Sequence, residues 1–377
     1  MRPSATAPPA LPREQRHPRH PKAGHAPMSS HRLRLVAAAA ALLTLSACGS
    51  GTESESKDSA GSKEQKGSAG SFPLTVEHAL GKTTIPAKPK RVATVNWANH
   101  EVPLALGVVP VGMAAANFGD DDGNGVLPWV EEKLDELDAK TPVLFDETDG
   151  IDFEAVADTK PDVILAAYSG LTKKDYDTLS KIAPVVAYPD APWATPWREI
   201  IRTNSEAIGL SGEGEKLIKE LDGEIAATAA KYPQLKGKTA MFMTHLDPND
   251  VSEIGFYTTH DTRTQFFLDL GMKTPGSIEK ASKGTDKFAL TRSAEQIDTF
   301  DDVDIVTGYG DEKGELLDNI RKDKVLSKMP AIDRGSAYLL PGSSSPLATA
   351  ANPTPLSISY VLDDYAAALA KAADKVK

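Results

Sequence analysis

From Ser211 to Tyr232 the apolar residues return every three or four positions. Leu217, Ile218, Leu221, Ile225 and Ala229 form one stripe, which is the pattern of an amphipathic helix. Ser211 suits the N-cap, and Glu213 and Glu215 place negative charge in the first turn, where the helix dipole favours it. Tyr232-Pro233 ends the run. At ~1.5 Å per residue such a helix is roughly 30 Å long, about the width of a small domain. A similar phrase flanks it on each side. Phe153-Glu154 leads to Pro161-Asp162 and the apolar Val163–Leu165; Ala294-Glu295 leads to Asp304 and Ile305-Val306. Each reads as a Glu opening a short helix, then a turn, then a buried strand. The expected architecture is α/β, with two similar lobes joined by one long helix. The alternative is chance, because helix-then-strand units recur in any α/β protein.

The first half carries further strands. Val76 to Pro86 reads as two short strands around a Gly turn, and Pro89–Val95 as a buried strand. Asn96–His100 is the loop beyond it, and Glu101–Gly107 a short helix. Ligands of open parallel sheets sit past the carboxyl ends of the strands, so Trp97, Asn99 and His100 are candidates. The same rule selects Tyr168 and Ser169 as an exposed strand end. Thr195-Pro196 is expected to cap a helix running to Ile208-Gly209. Trp193, in a Pro-rich loop, is read as ligand-facing; Trp197 is either ligand-facing or core. In the second half, Lys238–Thr244 is a strand. His245, Tyr257, His260 and Arg263 are polar candidates facing the first lobe, and Tyr309-Gly310 is another strand end. The final helix, Leu356 to Val376, is expected to cover the second lobe with Ile358, Val361, Leu362, Tyr365 and Leu369.

The N-terminus changes the picture. Leu35–Ala47 is apolar or small except for Thr44 and Ser46. It is too short to span a bilayer, which takes about 20 residues, but it suits a signal-peptide core after Arg32 and Arg34. The segment ends Leu45-Ser46-Ala47-Cys48, which resembles the lipobox of bacterial lipoproteins. That implies cleavage before Cys48 and a lipid on its thiol; an ordinary signal peptide with an incidental Cys is the alternative. Met28 is a plausible second start, with 1–27 an upstream extension. Residues 48–72, rich in Gly, Ser, Glu and Lys, read as a flexible tether. The remaining divisions are 73–210 for the first lobe, 211–232 for the bridging helix and 233–377 for the second lobe.

The whole chain of 377 residues has a charge of −11; less the +6 of residues 1–47, the chain from Cys48 onward carries −17. This excludes nucleic acid and an anionic membrane surface as electrostatic partners. Cys48 is the only Cys, so no internal disulfide forms. His78, His100, His245 and His260 follow the leader at spacings unlike a metal site. Phe118–Gly125 is rich in Asp and Gly and resembles a calcium loop, but its ligand alternation is broken; a mobile loop at the cleft rim is the stronger reading. No phosphate loop, nucleophile elbow or His-Glu-x-x-His is present. An extracytoplasmic lipid-anchored hydrolase stays open as the reading from another class.

Several phrases together, from residue 74 to 377, are similar to the iron–siderophore and cobalamin substrate-binding proteins of ABC importers. These are Pro89-Lys90-Arg91-Val92, Ala105-Leu106-Gly107-Val108 with Pro110-Val111-Gly112, Lys160-Pro161-Asp162, Leu179–Pro184, and Leu326–Ala331 with Arg334-Gly335. Pro192-Trp193 with Trp197, and Leu246-Asp247-Pro248, most resemble the ferric hydroxamate-binding branch. The resemblance implies two Rossmann-like lobes bridged by one helix, the class III periplasmic-binding-protein fold. It implies a monomeric, non-enzymatic receptor outside the cytoplasm, held to the membrane by lipid. It further implies that Glu154 and Glu295 dock onto a permease dimer. The iron is held by the siderophore, with no cofactor or protein-bound metal. The implied ligand contacts are Trp97, Asn99, His100, Tyr168, Trp193, Trp197, His245, Tyr257 and Arg263. The branch tends to pair its Tyr with an Arg, but Asp146–Asp149 stands where that Arg would be, and an acidic rim suits a ligand with a cationic tail. Few basic residues line the proposed cleft, which disfavours catecholates. A cobalamin or haem receptor of the same fold is the alternative.

Overall fold

The computed structural model describes residues 71–247, 250–342 and 344–377. The expected leader, Cys48 and the tether as far as residue 70 lie outside them. Among the described residues no helix is long and apolar enough to cross a membrane.

An antiparallel hairpin opens the described chain, β1 (Leu74–His78) with β2 (Gly81–Ile85), closed with His78 opposite Gly81. The first large sheet has β3 (Val92–Thr94), β4 (Gly112–Ala114), β5 (Val143–Phe145), β6 (Val163–Leu165) and β7 (Val185–Val186). All are parallel, in the order β5-β4-β3-β6-β7. Both faces are covered, so these strands are nearly all apolar, as buried parallel strands must be. The second sheet has β8 (Ala240–Met243), β9 (Glu253–Tyr257), β10 (Ala289–Ser293), β11 (Ile305–Tyr309) and β12 (Ala337–Leu340), in the order β10-β9-β8-β11-β12. Here β8, β11 and β12 are parallel, and β9 runs antiparallel to both β8 and β10.

The two flanking phrases occupy equivalent places. β6 lies beside the central strand of its sheet, as β11 does in the other, and each follows a short helical segment that opens with an exposed Glu. The first segment is an α-helix and the second a 3-10 helix interrupted at Gln296.

Between the sheets in sequence lies one helix, Ser211–Lys231. Its inner stripe is Gly214, Ile218, Leu221, Ile225 and Thr228, while Leu217 and Ala229 sit at the edge. Ser211 is not the N-cap. Leu210 holds that place without a side-chain bond, because the preceding helix, Trp197–Ala207, runs almost directly into this one. Gly214 is required at that crossing, where a Cβ would stand 2.1 Å from Ser205 Oγ. Arg198 and Arg202 tie the two helices together through Asp222 (2.5 Å) and Glu215 (2.8 Å). Thr195 does not cap the Trp197–Ala207 helix either; its hydroxyl donates to the Ala167 carbonyl at 2.7 Å.

The C-terminal helix, Ser357–Ala373, buries the expected apolar face. It covers more than the second lobe, because Val361 packs with Leu104, Met113 and Trp129 of the first. One continuous core, including Val102, Ile200, Ile225, Phe242, Phe267 and Leu362, therefore crosses from one lobe to the other.

Candidate functional site

The loops past the carboxyl ends of β3 and β6 face those past β8, β9 and β11, and a cavity of about 310 Å³ opens between them. From the first lobe it is lined by Trp97, Tyr168 and Trp193, and from the second by His245, Tyr257 and Arg263. Thr349 and Asn352, from the segment that leads into the C-terminal helix, complete the wall.

Arg263 is the charged centre. Its Nη1 donates to both carboxylate oxygens of Asp261 (3.0 and 2.8 Å), and its Nε to the Tyr309 hydroxyl at 2.8 Å. The guanidinium lies 4.3 Å from the Tyr257 ring centre and 5.8 Å from that of Tyr309, both within cation–π range. Burial alone would lower the pKa of Arg263, but Asp261 and the phenols around it raise it well above the ordinary value, so it stays a cation. Burial raises the Asp261 carboxyl, and the guanidinium beside it opposes that shift. Burial also raises the phenols of Tyr168 and Tyr257, which remain neutral donors. His245 stacks on Tyr309 at 4.2 Å with an interplanar angle of 6°, and burial followed by Arg263 lowers its pKa. The cavity thus offers aromatic faces and hydroxyl groups around one neutralised ion pair.

Tyr168 is not an exposed strand end. It is buried, meets Trp193 edge-on at 5.4 Å, and accepts from Asn352 Nδ2 at 3.3 Å. Trp193 adopts φ 58°, packs on Gly170, and donates its backbone N–H to Ser169 O at 3.0 Å.

Asn99 is fully buried and faces the interior. It donates to Val95 O and Tyr168 O (both 2.8 Å) and accepts from Tyr168 N–H at 3.0 Å, which splices the β3 loop to the β6 loop. Trp197 is also core, its indole donating to Asp269 at 3.0 Å with Arg198 stacked on its ring. An aromatic at the first turn of an amphipathic helix goes to the buried stripe, and that outweighs its nearness in sequence to Trp193. His100 lines an adjoining cavity rather than the main one. His260 lies in a separate surface groove with Gln265 and Glu279. The Asp-rich loop is not arranged for calcium. The Asp120 carboxylate accepts the backbone N–H groups of Asp122, Gly123 and Gly125, and no cluster of metal-ligating side chains occurs among the described residues.

Sequence reasoning missed Asp261, Phe288 and Asn352 as cavity residues; it named Tyr309 only as a strand end and Phe118 only within a loop at the cleft rim. Phe118 reaches across to pack edge-on against both His245 and Tyr309 (5.9 and 5.8 Å).

The family model described as periplasmic binding protein matches residues 92–343. The chain belongs to the periplasmic binding protein family. PiaA of Streptococcus pneumoniae TIGR4, whose crystal structure contains ferrichrome, is 44% identical, with a TM-score of 0.77, and the match covers 80% of this chain and 99% of that one. A periplasmic solute binding protein of Mycobacterium smegmatis is 26% identical, with a TM-score of 0.65 over 80% of this chain and 98% of its own. Among curated relatives, the probable siderophore-binding lipoprotein YfiY of Bacillus subtilis is 29% identical over 278 residues, 73% of this chain and 78% of its own. These relatives carry the names of binding proteins, not enzymes.

Proposed function

We propose that this periplasmic binding protein is the extracytoplasmic, lipid-anchored receptor of an ABC importer and that it takes a ferric siderophore of the hydroxamate type between its lobes. The carrying observation is the Arg263–Asp261 pair inside an aromatic cage. Three hydroxamates, each a monoanion, neutralise Fe³⁺, so their complex is uncharged. A cavity whose one cation is already neutralised suits such a cargo. A triscatecholate carries about three negative charges and would meet too little positive charge here. The likeness to ferrichrome-bound PiaA supports the same choice.

The chelate supplies every iron ligand, and the iron is cargo rather than cofactor. The protein contributes Trp97, Trp193 and Tyr257 as walls, and the Arg263 and Tyr groups as donors to the outward-facing oxygens of the complex. Glu154 and Glu295, exposed at equivalent places on the two lobes, dock onto cationic residues of the permease dimer. A transport assay separates binding from delivery. Replacing both Glu154 and Glu295 by Ala leaves affinity for the ferric complex intact and abolishes its uptake into cells. Uptake that survives the double change rules out the docking assignment.

A further inference from the structure

A second cavity, of about 220 Å³, lies beside the first. Trp97, Asn117 and Trp193 line both, so the two adjoin. The second contains a carboxylate, Glu147, that the reading above does not use. Resting on that reading, we propose that this side cavity recognises a primary-ammonium arm of the ferric siderophore, with Glu147 as its counter-ion.

Four observations converge on it. Glu147 is half-buried and held in place by Asn96, whose backbone N–H and Nδ2 donate to it at 3.0 and 2.8 Å. Among the described residues it has no ion-pair partner, although a carboxylate withdrawn from water is costly until a cation joins it. His100, 6% exposed, lines the same cavity with its Nδ1 unpartnered. Its ring is neutral, because burial lowers its pKa to about 4, so it adds no positive charge to repel an ammonium group. Lastly, the wall is strained. Asn96 (φ 59°), Ala98 (φ 61°) and Trp193 (φ 58°) all hold the left-handed region without being glycine, a cost that persists only where surrounding structure enforces it. The enforcing bonds run through Asn96, whose side chain also accepts the Gly170 N–H at 3.1 Å.

The charges of the two cavities differ in a way that assigns their roles. The main cavity is balanced by Arg263 and Asp261 and accepts a neutral iron core. Glu147 is the single carboxylate of the side cavity, and no Lys or Arg lines it. One carboxylate with an amide and an imidazole is too poor a donor set for a divalent metal. It is sufficient for one ammonium group, which needs a counter-ion and a few acceptors.

The test compares a linear ferric trihydroxamate ending in a primary amine, ferrioxamine B, with its N-acetyl derivative, which keeps the chelate and removes the charge. Ferrichrome, which has no amine arm, is titrated alongside. The full protein is expected to bind the amine form at least about tenfold more tightly than the acetyl form, about 1.4 kcal/mol. In Glu147→Gln, where the amide oxygen can still accept from Asn96, that ratio falls to within about twofold. A wild-type ratio near one overturns the proposal, as does a large ratio that survives Glu147→Gln. The wild-type ratio decides alone if the variant does not fold. Ferrichrome binding without amine discrimination removes only the ammonium subsite, whereas failure to bind any of the three chelates removes the hydroxamate reading as well.

Discussion

Glu101 in the first lobe accepts the backbone N–H of Leu356, at the start of the C-terminal helix, at 2.8 Å. Its other oxygen accepts the Trp129 indole N–H, also at 2.8 Å, and the carboxyl is fully buried. This places the final helix against both lobes at once. Removing the carboxyl orphans two buried donors, at about 1–3 kcal/mol each. Glu101→Ala is therefore expected to lower stability by about 2–4 kcal/mol, read as a fall in the urea midpoint at unchanged m.

The same carboxyl has a pH signature. Burial raises its pKa, and the hydrogen bonds from Thr354, Trp129 and Leu356 oppose this only in part. The folded value therefore lies above the unfolded one. The folded state binds the extra proton, so this contribution is complete below the unfolded pKa and is lost as pH rises through the folded value. Glu101→Gln is expected to flatten that part of the stability–pH curve, measured by thermal unfolding from pH 4 upward.

His100 acts in the opposite sense. Burial holds its pKa down at about 4, while the unfolded chain titrates near the ordinary 6.5. Between those values the unfolded state binds more protons. Stability from this group is complete above about pH 6.5 and is lost as pH falls toward 4, by about 3 kcal/mol in all. His100→Leu should remove most of that acid sensitivity in the same scans.

Much of this architecture was legible from periodicity. The bridging helix showed itself through Ile218, Leu221 and Ile225, and the strands through short apolar runs. Trp97, Tyr168 and His245 followed from one rule, that sites lie past parallel strand ends; Tyr257, the last residue of the antiparallel β9, was read only as a polar residue facing the first lobe. Tyr309 ends β11 and was read as a strand end, and the same rule carries it into the cavity. Phe118 was placed only with its loop at the cleft rim, and Asn352 gave no signal. One sits in a Gly- and Asp-rich loop, the other between helices near Pro353, and both reach the cavity only through long-range packing. Trp197 and Asn99 lay close in sequence to cavity residues, but helix phase and a saturated set of hydrogen bonds turn them inward.

Arg263 should be needed for both fold and binding. Arg263→Met leaves Asp261 buried without its cation, a loss of about 3–5 kcal/mol. The double change with Asp261→Asn should recover much of the stability but not the affinity for a ferric trihydroxamate. Calorimetric unfolding and a binding titration on the two variants check this.

Gly170 tests the wall of the cavity without touching a polar group. A Cβ there would stand 2.3 Å from Trp193 Nε1. Gly170→Ala is expected to push the indole out of place and weaken binding about tenfold, with little change in melting temperature. Unchanged affinity would show that Trp193 does not contact the ligand.

The most direct measurement is tryptophan fluorescence of the protein titrated with ferrichrome and, in parallel, with iron-free ferrichrome, a ferric triscatecholate and cobalamin. Trp97 and Trp193 line the cavity, whereas Trp129 and Trp197 are buried elsewhere. Saturable quenching by ferrichrome at sub-micromolar concentration is expected, absent with the iron-free form and largely lost when Trp97 and Trp193 are both replaced by Phe. Quenching by cobalamin or the catecholate alone, or no quenching by any of them, would contradict a hydroxamate receptor.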